Sequence, residues 1–323
     1  MKQGKISETI LKRSILKNIT YKKKQIIQGA GVGHDFSAID LSGDNIITAC
    51  DTCFYQDDDD IAVLVDKVCN NLLVSGGVAV AFMVQLILPV DVTEQEIKHV
   101  MQLLDENGRR RQVQIAGGNT MVSPHVSCMT VSVTGIGQIA QDKCWCARKL
   151  QADHEVVLCG CIARHMTKKL VLSHRKELLT RFSSGFLDQI LVWEKLTDIT
   201  PMIQVCRRAG VSAVHDLSDS GIFGGLWELA CAGGLGIEAR VSDILIRQET
   251  VELCEFFQCN PYELPSVGNI LAVTQDSGVL INMLEQEGIR AAMIGHLIQG
   301  NDKYVICHEE KRFLTPPGTV TAG

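Results

Sequence analysis

His215-Asp216-Leu217-Ser218-Asp219-Ser220-Gly221-Ile222-Phe223-Gly224-Gly225-Leu226-Trp227-Glu228-Leu229-Ala230 is the stretch that decides the fold. The apolar run Val211-Ser212-Ala213-Val214 feeds it, and Leu226, Leu229 and Ala230 leave it at helical spacing. It reads as a strand, a tight glycine turn and a helix. Asp216 and Ser218 stand where they can accept from the free N–H groups of the first helical turn. Gly221, Gly224 and Gly225 let a second backbone or a ligand come close. Two readings fit. One is a capped helix packed by small residues onto a sheet; the other is a helix start that attracts an anion, phosphate above all. Spacing alone favours the first.

Upstream, residues 6–27 place apolar side chains near helical spacing, with Lys12, Arg13, Lys17 and Lys22 to Lys24 between them. That predicts an amphipathic helix with a solvated basic face. Gly29-Ala30-Gly31-Val32-Gly33-His34-Asp35 is not a dinucleotide fingerprint, because the third glycine position falls on His34. It reads as a loop ending in a candidate ligand, Asp35. Residues 46–51 read as a strand ending in Asp51, which holds a metal or satisfies loop N–H groups. Asp57 to Asp60 precede a helix predicted over 61–73, where acids favour the dipole. Val78–Leu88 reads as a buried strand. Thr93 and Glu96 form a capping box that opens a helix to about Asn107. Residues 112–116 predict a strand ended by the turn Gly117-Gly118-Asn119-Thr120, and 126–135 predict another. This half is an α+β unit.

Residues 138–153 read as a linker. A strand over 155–158 then runs into Cys159-Gly160-Cys161. Helices are predicted over 162–170, 175–181 and 199–208. Beyond the glycine turn come a strand near Ile237, a helix over 248–257, a strand over 270–274, a helix over 277–287, and strands over 291–298 and 304–307. The alternation predicts a second, mixed α/β unit.

Composition sets the outer limits. The 323 residues suggest about two domains, and 46% hydrophobic content allows sizeable cores. A net charge of −6 gives no reason to expect nucleic acid or an acidic membrane face. The N-terminal stretch lacks the apolar core of a signal peptide, and the longest apolar run is too short to cross a bilayer. A soluble cytoplasmic protein is expected. The 13 cysteines lie mostly in apolar runs, which suits reduced, buried thiols. Three close pairs, Cys50/Cys53, Cys144/Cys146 and Cys159/Cys161, lack the second pair of a zinc ribbon.

Six motifs then line up in order: Gly33-His34-Asp35, Cys50-Asp51-Thr52, Cys69-Asn70-Asn71-Leu72, Gly117-Gly118-Asn119-Thr120, His215-Asp216 through Gly221, and Asn260-Pro261-Tyr262-Glu263-Leu264. With them the chain resembles the superfamily of aminoimidazole ribonucleotide synthetase over nearly its whole length. That superfamily includes the hydrogenase maturation factors of the HypE type, thiamine-monophosphate kinase and selenophosphate synthetase. The maturation-factor branch is the nearest in pattern. The resemblance implies a mixed α/β, two-domain fold. Its N-terminal domain, about residues 1–140, binds ATP and dimerises by closing two sheets into a β-barrel. Its C-terminal α/β domain, about residues 150–315, covers the cleft. It implies magnesium at Asp35, Asp51, Asn71 and Asn119. It implies nucleotide contacts at those residues and at Gly33, Gly117, Gly118, Asp216, Ser218 and Gly221.

The departures from the family pattern bear on chemistry. His34 stands where a second acid is usual, and Asn71 and Asn119 stand where aspartates are usual. Magnesium prefers hard, charged oxygen ligands, whereas asparagine offers one neutral oxygen and two donors. Weaker magnesium binding, hence weaker or absent ATP turnover, is expected. Asp219 stands where the maturation factors tend to place a base, and Ser220 takes a glycine position. Those factors also carry a carbamoyl group on a terminal cysteine. Here the last thiol, Cys307, falls in a predicted strand, so self-carbamoylated chemistry is not expected.

Three functions follow as expectations. The first is ATP-dependent activation of an amide-type or similar small or protein-borne substrate, in a homodimer that meets a maturation partner protein. The second is a nucleotide- or anion-binding assembly protein that has lost the chemistry. The third is a thiol or metal site built from the cysteine pairs.

Overall fold

Among the described residues the strands form one large sheet in each of two units, Met1–Cys144 and Trp145–Gly323, and a two-stranded ribbon in the first. The structure is a computed structural model and describes residues 4–5, 10–28, 38–39, 45–140, 145, 150–194, 196–308 and 310–316. Gly33, His34, Asp35 and the Cys144/Cys146 pair lie outside the described residues.

In the first unit the strands are β1 (Gly4–Lys5), β2 (Ile26–Gln28), β3 (Ala38–Ile39), β4 (Asn45–Phe54), β5 (Val78–Leu88), β6 (Gln114–Val122) and β7 (Thr130–Ile139). The main sheet runs β1-β6-β5-β7-β4, with β5 and β6 parallel and the other pairs antiparallel. Helices α1 (Asp58–Leu73) and α2 (Glu94–Arg110) bury one stripe each, Ile61, Leu64, Val65 and Val68 on α1, Ile97, Val100, Met101 and Leu104 on α2. Both begin on a capping box, Asp57 with Asp60 and Thr93 with Glu96. The two helices are tied by Asp66, which is fully buried and pairs with Arg110 at 2.7 Å.

Two expectations change here. The described part of the N-terminal segment is not one long helix. It makes a π-helical turn, Leu11–Ile15, and a 3-10 turn, Leu16–Asn18, and then extends. Asp105 on α2 takes the backbone N–H groups of Thr20 and Tyr21 at 2.8 and 3.1 Å, and Gln114 takes that of Lys23. Those side-chain acceptors replace the intrahelical ones. Likewise Gly117 to Thr120 are not a turn but the middle of β6. Gly118 lies so close to β5 that an added Cβ would sit 1.8 Å from the Val84 carbonyl oxygen. These glycines serve strand-to-strand approach.

In the second unit the strands are β8 (Glu155–Cys159), β9 (Ala213–Leu217), β10 (Gly236–Arg240), β11 (Asn269–Thr274), β12 (Ala291–Ile298), β13 (Lys303–Cys307) and β14 (Glu310–Phe313). They are ordered β14-β13-β10-β12-β8-β11-β9, with β10 and β13 parallel and the rest antiparallel. The helices are α3 (Arg164–Leu178), α4 (Ser184–Leu191), α5 (Thr200–Ala209), α6 (Gly221–Gly233), α7 (Gln248–Phe257) and α8 (Ser277–Gln286). The two helices expected over 162–181 are one, α3, broken only at His174 (φ −119°). Ile222, Leu226 and Leu229 of α6 pack on Val156, Leu158 and Leu271 of the sheet. Strands β8 and β9 both run antiparallel to β11, so their C-terminal ends leave the same end of the sheet. Each feeds a helix there, β8 into α3 and β9 into α6. Among the described residues no helix is long and apolar enough to cross a membrane.

Candidate functional site

Strand alternation decides where the expected ligands of the first unit point. Cys50, Thr52 and Phe54 are exposed on the open face of β4. Asp51 points the other way, toward α1. There its Oδ2 meets Lys67 Nζ at 2.6 Å, with the side chains only 20% and 12% exposed. Asn71 follows Lys67 by four residues on α1, so it shares that face one turn on. Its neighbour Asn70 is buried and accepts from Arg111 Nη2 at 3.2 Å, which fixes this end of the helix. Asp51 and Lys67 thus form an ion pair, with Asn71 one turn further along the same face of α1.

Asn119 does not join them. Register places Asn119 beside Gln85, Gln85 beside Ser132, and Ser132 beside Thr52. The Thr52 and Ser132 hydroxyls meet at 2.7 Å on the open face. Asn119 therefore lies on the face opposite Asp51, three strand spacings or roughly 14 Å across the sheet.

In the second unit, β9 carries His215 and Asp216 and ends at Leu217, and α6 begins at Gly221. The glycines expected to form the turn are mostly inside the helix. Ser220 at the N-cap gives no side-chain cap. Instead the Phe223 N–H donates to the Tyr262 carbonyl at 3.2 Å, and the two rings stack at 5.1 Å. Gly221 has φ +61°, and an added Cβ would lie 2.5 Å from that carbonyl oxygen. Only glycine fits there. Asp216, Ser218, Asp219, Ser220, Gly221, Gly225 and Glu228 line a cavity of about 150 Å³. The Glu228 carboxylate also accepts from the His215 ring at 3.1 Å. Three carboxylates, Asp216, Asp219 and Glu228, thus line this helix start, where the resemblance implies phosphate contacts.

Two family models match the chain: AIR synthase related protein, N-terminal domain, over residues 33–139, and its C-terminal domain over residues 170–308. The chain belongs to the AIR synthase-related family. Among family relatives, a putative hydrogenase expression/formation protein of Methanocaldococcus jannaschii is 22% identical over 314 residues, 94% of this chain and 91% of that one. The carbamoyl dehydratase HypE of Escherichia coli is 25% identical over 237 residues, 71% of this chain and 68% of that one. The crystal structure of E. coli HypE superposes with a TM-score of 0.80 at 19% identity, covering 96% of this chain and 97% of that one. A HypE structure in complex with ATP gives 0.79 at 16%, covering 97% and 95%. The HypE chain of a HypE–HypF complex gives 0.70 at 18%, covering 86% and 92%.

The magnesium that the AIR synthase-related resemblance implies does not fit the described residues. Asp51 is the one carboxylate of the expected set among them, and Lys67 already neutralises it. Asn71 offers a neutral oxygen, and Asn119 faces away. Magnesium asks for near-octahedral oxygen ligands at about 2.0–2.1 Å. Among the described residues no group of three or more His, Cys, Asp and Glu side chains is placed to hold a metal ion.

The cysteine pairs divide similarly. Cys50 and Cys53 are three apart on β4 and so point to opposite faces. Cys159 is fully buried against Cys206, whose hydrogen bond, with burial, pushes the Cys159 thiol well above its ordinary range. Such a thiol is inert. Lys67 was legible only as a cation one turn before Asn71. Arg164, Arg247 and Trp193, which gather at the other strand-to-helix turn, carry no local motif.

Proposed function

We propose that this HypE-like member of the AIR synthase-related family serves maturation-type assembly as a nucleotide- or anion-binding protein, without magnesium-dependent turnover at Asp51. The Asp51–Lys67 pair carries the reading. A fixed ammonium supplies one positive charge where the family resemblance implies a dication. Its three N–H donors can meet Asp51 and a phosphate oxygen together, but it carries half the charge of magnesium and is no Lewis acid to polarise a phosphoryl group.

Calorimetry with ATP tests this. Affinity unchanged between magnesium and chelator, with no phosphate release, is the expected result. Tight, magnesium-dependent binding with slow phosphate release would overturn it. Lys67→Ala combined with Asn71→Asp restores negative charge beside Asp51 and is expected to make nucleotide affinity respond to magnesium. No response would place the nucleotide away from Asp51.

The second reading is ATP-dependent activation of an amide-type substrate, small or borne on a partner protein. It is favoured by likeness over 97% of the chain to a HypE solved with ATP. Phosphate release stimulated by a maturation partner would select it.

The proposal includes domains at about 1–140 and 150–315 and a homodimer through the open face of the first sheet. Ile46 and Phe54, each 65% exposed, lie on that face of β4. Sedimentation is expected to show a dimer that Ile46→Lys with Phe54→Lys converts to monomer.

A further inference from the structure

The turn from β8 into α3 builds a second concentration of charge, of the opposite sign. Gly160 (φ +95°), Cys161 and Ala163 (φ +58°) carry the chain from β8 to Arg164, the first residue of α3. Arg247 is the N-cap residue of α7. Neither helix has a side-chain cap at its start. The two first turns are clamped together by the buried hydroxyls of Thr167 and Thr250, 2.9 Å apart. Two positive helix ends therefore open side by side.

Both arginines lie over one indole. The Arg247 Cζ is 4.7 Å and the Arg164 Cζ 6.0 Å from the centroid of Trp193, which is itself 8% exposed. The Nε atoms of Arg164 and Arg247 are buried without an acceptor. Arg164 Nη2 reaches only a carbonyl, that of Glu194, at 3.3 Å, and neighbouring Lys168 donates to the Trp193 carbonyl at 2.6 Å. Among the described residues no carboxylate is within ion-pair distance of Arg164, Arg247 or Lys168. Burial and then Arg247 hold the Arg164 guanidinium below its ordinary range, as expected of cations crowded together. Arg290, Arg247 and Arg164 also act on the buried Cys161 thiol, so a third arginine borders the group. Glu194 acts on Arg164 and Glu249 on Cys161, neither as an ion-pair partner of the arginines.

Two unpaired guanidiniums and two helix starts ask for more than one negative charge. A carboxylate supplies one. A phosphate supplies close to two near neutral pH, and its tetrahedral oxygens can accept from donors on different elements at once. We propose that Arg164, Arg247 and the starts of α3 and α7, floored by Trp193, form a binding site for a phosphate-type oxyanion, either free phosphate or a phosphate monoester. Every residue of the site lies in the second unit, so a chain that binds no nucleotide would still hold it.

The probes are inorganic phosphate and phenyl phosphate, each titrated at constant ionic strength against acetate. Phosphate in the millimolar range is expected to raise Tm saturably and to change tryptophan fluorescence. Acetate is expected to do neither. Arg164→Gln and Arg247→Met each lower the affinity tenfold or more, and the double variant abolishes saturation. Arg247→Lys retains part of it. Trp193→Phe removes the fluorescence change and keeps the thermal shift. Circular dichroism and the ligand-free Tm report whether each variant is folded. Tighter binding of phenyl phosphate than phosphate selects the monoester; the reverse selects the free ion. An unresponsive wild-type protein, or saturation that survives in the folded double variant, would overturn the site.

Discussion

The turn from β9 into α6 and the turn from β8 into α3 leave the same end of the second sheet, yet they carry opposite charge. The first has the glycines, the short loop and the helix start that sequence reading associates with phosphate, and Asp216, Asp219 and Glu228 surround it. The second has no such signature, and Arg164 and Arg247 stand over Trp193 beside it. A glycine turn gives backbone access; the side chains around it choose the sign of the guest. Backbone geometry and charge are separable, and here they have been separated.

That contrast can be broken most sharply at the backbone. Gly221→Val forces a Cβ against the Tyr262 carbonyl at positive φ and is expected to cost more than about 3 kcal/mol in urea denaturation. Ala163→Gly at the basic turn is expected near zero. It relieves about 1 kcal/mol of left-handed strain and loses about 0.8 kcal/mol of buried methyl. Equal losses at both positions would mean the turns are not built differently. Next comes the clamp under the basic turn: Thr167→Val leaves the Thr250 hydroxyl short of a partner and costs about 2 kcal/mol, read from Tm.

Charge reversal sharpens the comparison. In the Arg164→Gln, Arg247→Met background, Asp219→Arg is expected to create phosphate binding at the acidic turn. The gain over that background is about tenfold, or about 1.4 kcal/mol, by calorimetry. No gain would mean that charge is not what excludes anions there.

A smaller loss than these belongs to a helix start that supplies its own acid. Thr93→Ala at α2 costs about 1 kcal/mol. The Thr93 hydroxyl and N–H hold the Glu96 carboxyl below its ordinary range. Its folded value is thus below its unfolded one, so this contribution is complete above the ordinary glutamate range. It is lost as pH falls through the lowered value. Glu96 is exposed and water screens it, so the gap between wild type and Thr93→Ala should narrow only slightly from pH 6 to pH 3.

What could be read in advance was what local chemistry fixes. The Thr93/Glu96 box, the apolar run of β5 and the spacing of α7 are each specified within a dozen or so residues, and they appear where periodicity places them. Gly117 to Thr120 look like a turn because glycine is ambiguous: a close neighbouring strand demands it as firmly as a bend does. The first residues of the chain carry a helical pattern that Asp105 and Gln114 override from other elements. The same limit applies to the sites. Cys159-Gly160-Cys161 draws attention through its thiols, while the arginines that give that turn its character arrive from α3 and from the start of α7. Lys67 is unremarkable until β4 brings Asp51 to it.

One residue joins the two turns. Ser266 donates its N–H to the Ser218 carbonyl at 2.8 Å, and its hydroxyl accepts from the Ala163 N–H at 3.1 Å. A single residue, through its backbone N–H and its hydroxyl, therefore behaves as a crossbar between an acidic bend and a basic one. Whatever displaces either loop must drag the other or snap that link, so occupancy on one side has a mechanical route to the opposite side without any change in the sheet beneath.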